Sequence, residues 1–235
     1  MDSVPHHPFY PLGTSLTGYI ANDWSMSAIF GVFGGCLVTL FTLTRQLNQS
    51  LNPHLSRRDQ ALLIWFVLSG FIHLIIEGYF SVNHTRMPTL TDYLGQGWKE
   101  YSKCDSRYMT GDSFIVSMET VTAFAWGPLC LVEAWFILIN SPWRHPLQML
   151  VSVGQFYGDL LYFATVLVEH AEKSVEYSRP EALYFWGYFM GMNAFWIIIP
   201  AYCIATSMKE IAEVFKVAQS QKGKLAANVV EKKRA

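Results

Sequence analysis

The chain has 235 residues, of which 51% are hydrophobic and 15% aromatic; only 15% are charged and the formal net charge is -1. Soluble domains carry about 25% charged residues, so much of this surface does not face water, and the near-neutral balance gives no reason to expect nucleic acid as a partner. Four cysteines, Cys36, Cys104, Cys130 and Cys203, show no CxxC spacing and three fall in apolar stretches, which argues against a disulfide framework or a zinc site.

The amino terminus, MDSVPHHPFYPLG, has no basic n-region and no short apolar core with a cleavage site, so no cleaved signal peptide is expected and the first hydrophobic helix is read as the targeting element. A hydrocarbon core of about 30 Å needs roughly 20 apolar residues in a helix. Five segments qualify: 24–44, which is uncharged; 61–80, with only His73 and Glu77; 114–140, with Glu119 and Glu133; 146–168, with Asp159; and 182–208, again uncharged. The reading is an all-α, polytopic membrane protein in which 1–208 form one five-helix bundle. The remainder, 209–235, is a basic tail, a helical extension fraying into disorder.

Five spans put the two termini on opposite sides. With the tail in the cytosol, all but six of the 17 basic residues are cytosolic, the exceptions being Arg86, Lys99, Lys103, Arg107, Lys173 and Arg179 in two long loops. The positive-inside rule therefore predicts a lumenal amino terminus and a cytosolic carboxyl terminus. Lys232 and Lys233 are the fourth- and third-from-last residues, the pattern of a dilysine retrieval signal for the endoplasmic reticulum. Asn83-His84-Thr85 is a glycosylation sequon on the lumenal side, close to the end of the second span.

A charge at the bilayer centre costs at least a few kcal/mol, so intramembrane ionisable residues are functional candidates. His73 and Glu77 are four residues apart, on one helical face and about 6 Å apart along the axis. The third span aligns Glu119, Thr122 and Trp126; the fourth Gln155, Asp159 and Tyr162; the fifth Asn193, Trp196 and Pro200. Four helices thus offer a polar-aromatic stripe to a bundle interior, and the first, lacking one, is expected at the edge. The topology places Glu77 and Glu119 together in the lumenal half, with His73, Asp159 and Asn193 one to two turns deeper. Glu133, near the cytosolic end of its span, is expected to snorkel to the interface and is left outside the site. Packing roles compete with each assignment: His73 as a satisfied core histidine, and Asp159 and Asn193 as interhelical ties.

Two carboxyls in a low-dielectric cavity do not both stay ionised, so a proton donor sits beside a proton acceptor. No nucleophile triad, phosphate loop, dinucleotide fingerprint or HExxH motif is present. Cofactor-free acid–base chemistry and transport of protons or a solute both remain open, and an indole face beside the acids would stabilise a cationic intermediate or a ligand ammonium.

Five runs carry a resemblance: GFIHLIIEGYF (70–80), WKEYSKCDSRY (98–108), METVTAFAWGP (118–128), SVGQFYGDLLYF (152–163) and YFWGYFMGMNAFW (184–196). In this order and spacing they resemble the emopamil-binding protein family, the 3β-hydroxysteroid Δ8-Δ7 isomerases; the first span and the tail match only in character. The resemblance implies a bundle in the endoplasmic reticulum membrane with an intramembrane sterol cavity, no cofactor, and homodimerisation. It implies that His73, Glu77 and Glu119 are catalytic and that Thr122, Asn193 and Trp196 line the pocket; Asp159 and Tyr162 join them as substrate-binding candidates from the fourth-span stripe. The implied reaction protonates a Δ8 alkene at C9 and removes a C7 proton. Glu119 assisted by His73 is read as the donor and Glu77 as the acceptor, with the reverse open. Cationic amphiphilic amines are implied as inhibitors, and a sterol- or amine-binding relative without isomerase activity shares the fold.

Overall fold

The computed structural model describes residues 7–234, with side chains through 224. Among them there is no strand, and five helical runs are long and apolar enough to cross a membrane, so the protein is an all-α, multi-pass membrane protein. The first is α1, Met26–Leu51, started by Ser25, whose hydroxyl accepts from the Ala28 amide. Ile29, Thr44 and Asn48 are its buried residues, so α1 lies at the edge of the bundle with its apolar surface turned to lipid.

The second run is α2 (Arg57–Phe71), a wide π turn (Ile72–Glu77) and α3 (Gly78–Asn83). A 3-10 turn (His84–Thr89) leads into a cap made of α4 (Tyr93–Tyr101) and α5 (Arg107–Thr110). The third run repeats the design of the second: α6 (Ser113–Val121), a π turn (Thr122–Trp126) and α7 (Gly127–Leu138), with Asp112 accepting from the Phe114 and Ile115 amides at its start. The fourth is α8, Arg144–Lys173, and the fifth a π-helical stretch (Leu183–Met192) continuing as α9, Asn193–Arg234. α2 packs on α7 and α8 on α9. Near the end away from the cap, the Asn52 side-chain amide donates to the Leu138 carbonyl at 2.9 Å, satisfying a helix-terminal acceptor.

The cap is locked by the amino-terminal strap. Phe9 and Leu16 are buried in an aromatic cluster with Phe80, Trp98 and Tyr108. Lys99 Nζ donates to the Ile20 carbonyl at 2.7 Å, and the Trp24 amide donates to Gln96 Oε1 at 2.9 Å. Inside the cap Arg107 pairs with Asp105 at 2.7 Å, both essentially excluded from solvent, and also donates to Thr165 Oγ1 of α8 at 2.7 Å. Breaking one partner of such a pair costs about 3–5 kcal/mol, so the cap is held rigidly to α8.

One expectation changes. The tail does not fray from Lys209, since α9 continues as helix to Arg234; Lys232 and Lys233 lie outside the residues whose side chains are described. The sequon asparagine is buried, its amide donating to the Tyr79 carbonyl at 2.8 Å while its oxygen accepts from Arg86.

Candidate active site

The two π turns face each other, and the acidic residues sit at their edges. Wide turns inside long helices recur at functional sites because the extra residue re-aims side chains. Here Trp98 of the cap donates from Nε1 to the Ile76 carbonyl at 2.9 Å, pinning the first wide turn. Close approach is permitted by glycine: a Cβ on Gly127 would stand 2.8 Å from Leu74 Cγ and 3.2 Å from His73 Cβ, and one on Gly154 would stand 2.5 Å from the Trp126 ring.

His73 is 2% exposed and bonded on both sides of its ring. Its Nδ1 lies 2.6 Å from Glu77 Oε2, and its Nε2 lies 3.1 Å from Gln155 Nε2. With the Gln155 amide donating, Nε2 carries a lone pair, so the ring proton is on Nδ1 and is donated to Glu77. The indole of Trp196 lies against the imidazole at 5.0 Å between ring centroids, tilted by 33°, and Trp65 backs Trp196 at 4.8 Å.

Glu119 is buried, at the end of α6 that packs against the wide turn carrying Glu77. The Tyr108 hydroxyl donates to Glu119 Oε1 at 2.6 Å. Burial, reinforced by the charge of Glu119, pushes the Tyr108 phenol well above its ordinary range, so it stays protonated and donating. Tyr101 packs edge-on to Tyr108 and its hydroxyl accepts from Asn193 Nδ2 at 3.1 Å; burial pushes its phenol well up too. Asn193 also donates to the Phe189 carbonyl at 2.7 Å. The chain Asn193–Tyr101–Tyr108–Glu119 thus ties the fifth run to the third through the cap.

Of the residues singled out by sequence, His73, Glu77, Glu119 and Trp196 form one cluster, joined by Asn193 through the tyrosines. His73 and Glu77, four residues apart on one helical face, are hydrogen-bonded to each other. Thr122 donates to the Met118 and Glu119 carbonyls of its own helix, which leaves its oxygen lone pairs for a ligand. Tyr162 is tied to the cap, its ring under the Arg107 guanidinium at 5.1 Å, and Asp159 is buried with Oδ2 unpartnered among described groups. Glu133 does not snorkel: it is fully buried on α7, which packs against α2 and α8. Tyr108, Tyr101 and Trp65 were missed as site residues. Both tyrosines belong to the WKEYSKCDSRY run, a loop segment that a search confined to the spans passes over.

Residues 93–207 match the family model described as EBP, the EXPERA or expanded EBP superfamily. A relative from Mus musculus, named 3-beta-hydroxysteroid-Delta(8),Delta(7)-isomerase, is 41% identical over 94% of this chain and 95% of its own length. The protein of that name from Rattus norvegicus is 42% identical over 88% of this chain and 90% of its own length. One from Arabidopsis thaliana, named as probable in the same activity, is 32% identical over 91% and 93%. With identity at this level over 94% of its length, the chain belongs to the EBP family.

Proposed function

We propose that this protein is a sterol Δ8-Δ7 isomerase acting by cofactor-free acid–base catalysis. The observation that carries the reading is the pair of adjoining acids held by different partners: Glu77 by the imidazole of His73, Glu119 by the phenol of Tyr108. Two carboxyls so close cannot both be ionised in a dry site, so one holds the proton that the other lacks. Glu119 is the acid. The Tyr108 hydroxyl occupies Oε1 and favours the carboxylate that remains once the proton has gone to C9 of the Δ8 alkene. Glu77, kept as the carboxylate by the hydrogen bond it accepts from His73 Nδ1–H, removes the C7 proton from the resulting C8 cation and leaves the Δ7 alkene. The indole of Trp196 beside His73 adds cation stabilisation of about 0.5–2 kcal/mol. Thr122, Asn193, Asp159 and Tyr162 are assigned to holding the sterol.

Cationic amphiphilic amines would bind at the same acids as mimics of the cation. The basic-residue distribution and Lys232-Lys233 support the endoplasmic reticulum membrane with the cap lumenal and α9 ending in the cytosol; the sterol then enters from the bilayer, and homodimerisation follows the resemblance. Protease protection of tags at either end tests the orientation, and cross-linking tests the dimer.

Expression in cells lacking their own Δ8-Δ7 isomerase, with sterols quantified by gas chromatography and mass spectrometry, tests the reaction. Δ7 product that disappears with Glu119→Gln is expected. Unchanged Δ8 sterol despite stable, amine-binding protein would replace the isomerase with a binding protein.

A further inference from the structure

One side of α8 is polar over most of its length. Arg144, Gln148, Ser152, Gln155, Asp159 and Tyr162 follow at spacings of three or four residues, and all are buried. At 1.5 Å per residue the stripe runs about 27 Å, close to the thickness of the hydrocarbon core. His73 meets it at Gln155. The half from Asp159 upward belongs to the site already described, but the half from Gln155 down to Arg144 serves no step of the isomerisation. A buried polar group without a partner costs about 1–3 kcal/mol, so a stretch needed only for packing would be apolar.

That lower half is continued by the neighbouring helices. Glu133 of α7 is 0% exposed and neither carboxyl oxygen has a protein partner. Ser69 Oγ, Gln148 Oε1, Ser152 Oγ and Arg144 Nε are likewise buried and unpartnered. Contacts join several of these helices' polar groups. Gln155 Nε2 lies 3.5 Å from Cys130 Sγ, one helical turn before Glu133. Cys203 of α9 is fully buried in the same cluster as Cys130 and Val151. Gln148 Nε2 donates to Ser207 Oγ at 2.8 Å, and Ser207 Oγ stands 3.4 Å from His145 Nδ1. At the first turn of α8 Arg144 pairs with Asp59, at the start of α2. The unpartnered atoms include a donor, Arg144 Nε, among the acceptors. Water satisfies both kinds, whereas a bare cation would satisfy only acceptors.

We propose that this half of the stripe is a proton path joining His73 to the aqueous surface at the Arg144 end, with Glu133 as its relay. The proposal rests on the isomerase reading. After each turnover the base holds the proton taken from C7 and the acid lacks the one given to C9. Either that proton is handed back internally, or it leaves to water while another arrives. Once Glu77 holds the C7 proton, a turned Gln155 amide presents its otherwise unpartnered Oε1 to His73 Nε2–H, so that Nδ1 takes the proton from Glu77 as Nε2 releases one to the path. No proton is gained or lost overall.

The test uses full-length protein in lipid nanodiscs, a Δ8-sterol carrying two deuterons at C7, and ordinary water. Product that exchanged with water keeps one deuteron; product formed by internal return keeps two, one at C7 and one at C9. Wild-type protein should give mainly the single-deuteron product. Glu133→Gln and Ser152→Val should each raise the two-deuteron fraction at least fivefold, and Glu133→Asp should restore it. A packing role would lower turnover without moving that fraction. Should Glu133→Gln not fold, Ser152→Val carries the comparison. An unchanged fraction in variants that turn over, or two-deuteron product from the wild type, overturns the path and leaves the isomerase standing. No Δ7 product from the wild type overturns the isomerase reading and the path with it.

Discussion

Replacing Tyr108 with Phe removes one oxygen from the site and leaves the ring. That ring stacks on Trp98 at 4.8 Å and meets Phe80 at 5.1 Å, so the cap should keep its packing. What is lost is a 2.6 Å hydrogen bond to a buried carboxyl. Bonds to charged groups contribute about 1.5–3 kcal/mol, and if this one acts on the carboxylate left after protonation of the alkene, it acts in the transition state. At about 1.4 kcal/mol per decade, turnover should fall between about tenfold and 150-fold. The assay is Δ7-sterol formation by purified Tyr108→Phe protein, with kcat and KM separated and folding checked by thermal unfolding. The loss should fall on kcat, with KM changed little, because the phenol faces the acid and not the bulk of the sterol. Turnover within twofold of wild type would remove Tyr108 from the proton-donating unit and reopen the reverse assignment, with Glu77 as the acid.

Gly127→Ala would bring a methyl to 2.8 Å from Leu74 Cγ, so the facing turns must part by about 0.6 Å to reach ordinary contact; since about 1 Å of misplacement costs on the order of a hundredfold, about a tenfold loss of turnover is expected, read against unchanged amine binding. Trp98→Phe leaves the Ile76 carbonyl without its donor, which should cost about 1–3 kcal/mol and show as an unfolding midpoint lowered by several degrees. Asn83 is buried with its amide already committed, so glycosidase treatment of protein expressed in eukaryotic cells should leave its electrophoretic mobility unchanged.

Hydrophobicity made the five helices legible, because a span needs only length and the absence of charge, and both are visible in one dimension. The same economy made His73, Glu77 and Glu119 stand out: against an apolar background an ionisable residue is conspicuous. What failed were inferences that needed a helix's rotation or its local pitch. Glu133 was placed at the interface by counting residues from the end of its span, but counting gives depth and not direction, and α7 turns it inward. The wide turns at Ile72–Glu77 and Thr122–Trp126 could not be read, since nothing in either sequence forbids an ordinary α-helix. Tyr101 and Tyr108 were hidden for a different reason. They lie in a polar loop, where aromatic residues are ordinary, and their place in the site depends on that loop folding back over the helices.

That fold-back explains how a bilayer protein holds two acids side by side. Within the membrane, helices gain little from burying apolar surface against each other, because lipid is as apolar as leucine; the rigidity needed to keep Glu77 and Glu119 adjacent must come from elsewhere. The cap supplies it with interactions native to water-exposed domains. Trp98 pins the turn that carries Glu77, Tyr108 holds Glu119, and Asn193 is reached through Tyr101. The cap itself is fastened to α8 by Arg107 and to the amino-terminal strap by Lys99 and Gln96. Glu77 is therefore held by His73 within the bilayer on a turn that the cap pins, and Glu119 is held by the cap directly. This arrangement lets lipid-facing helices such as α1 stay loosely attached at the edge while the reacting groups keep their spacing.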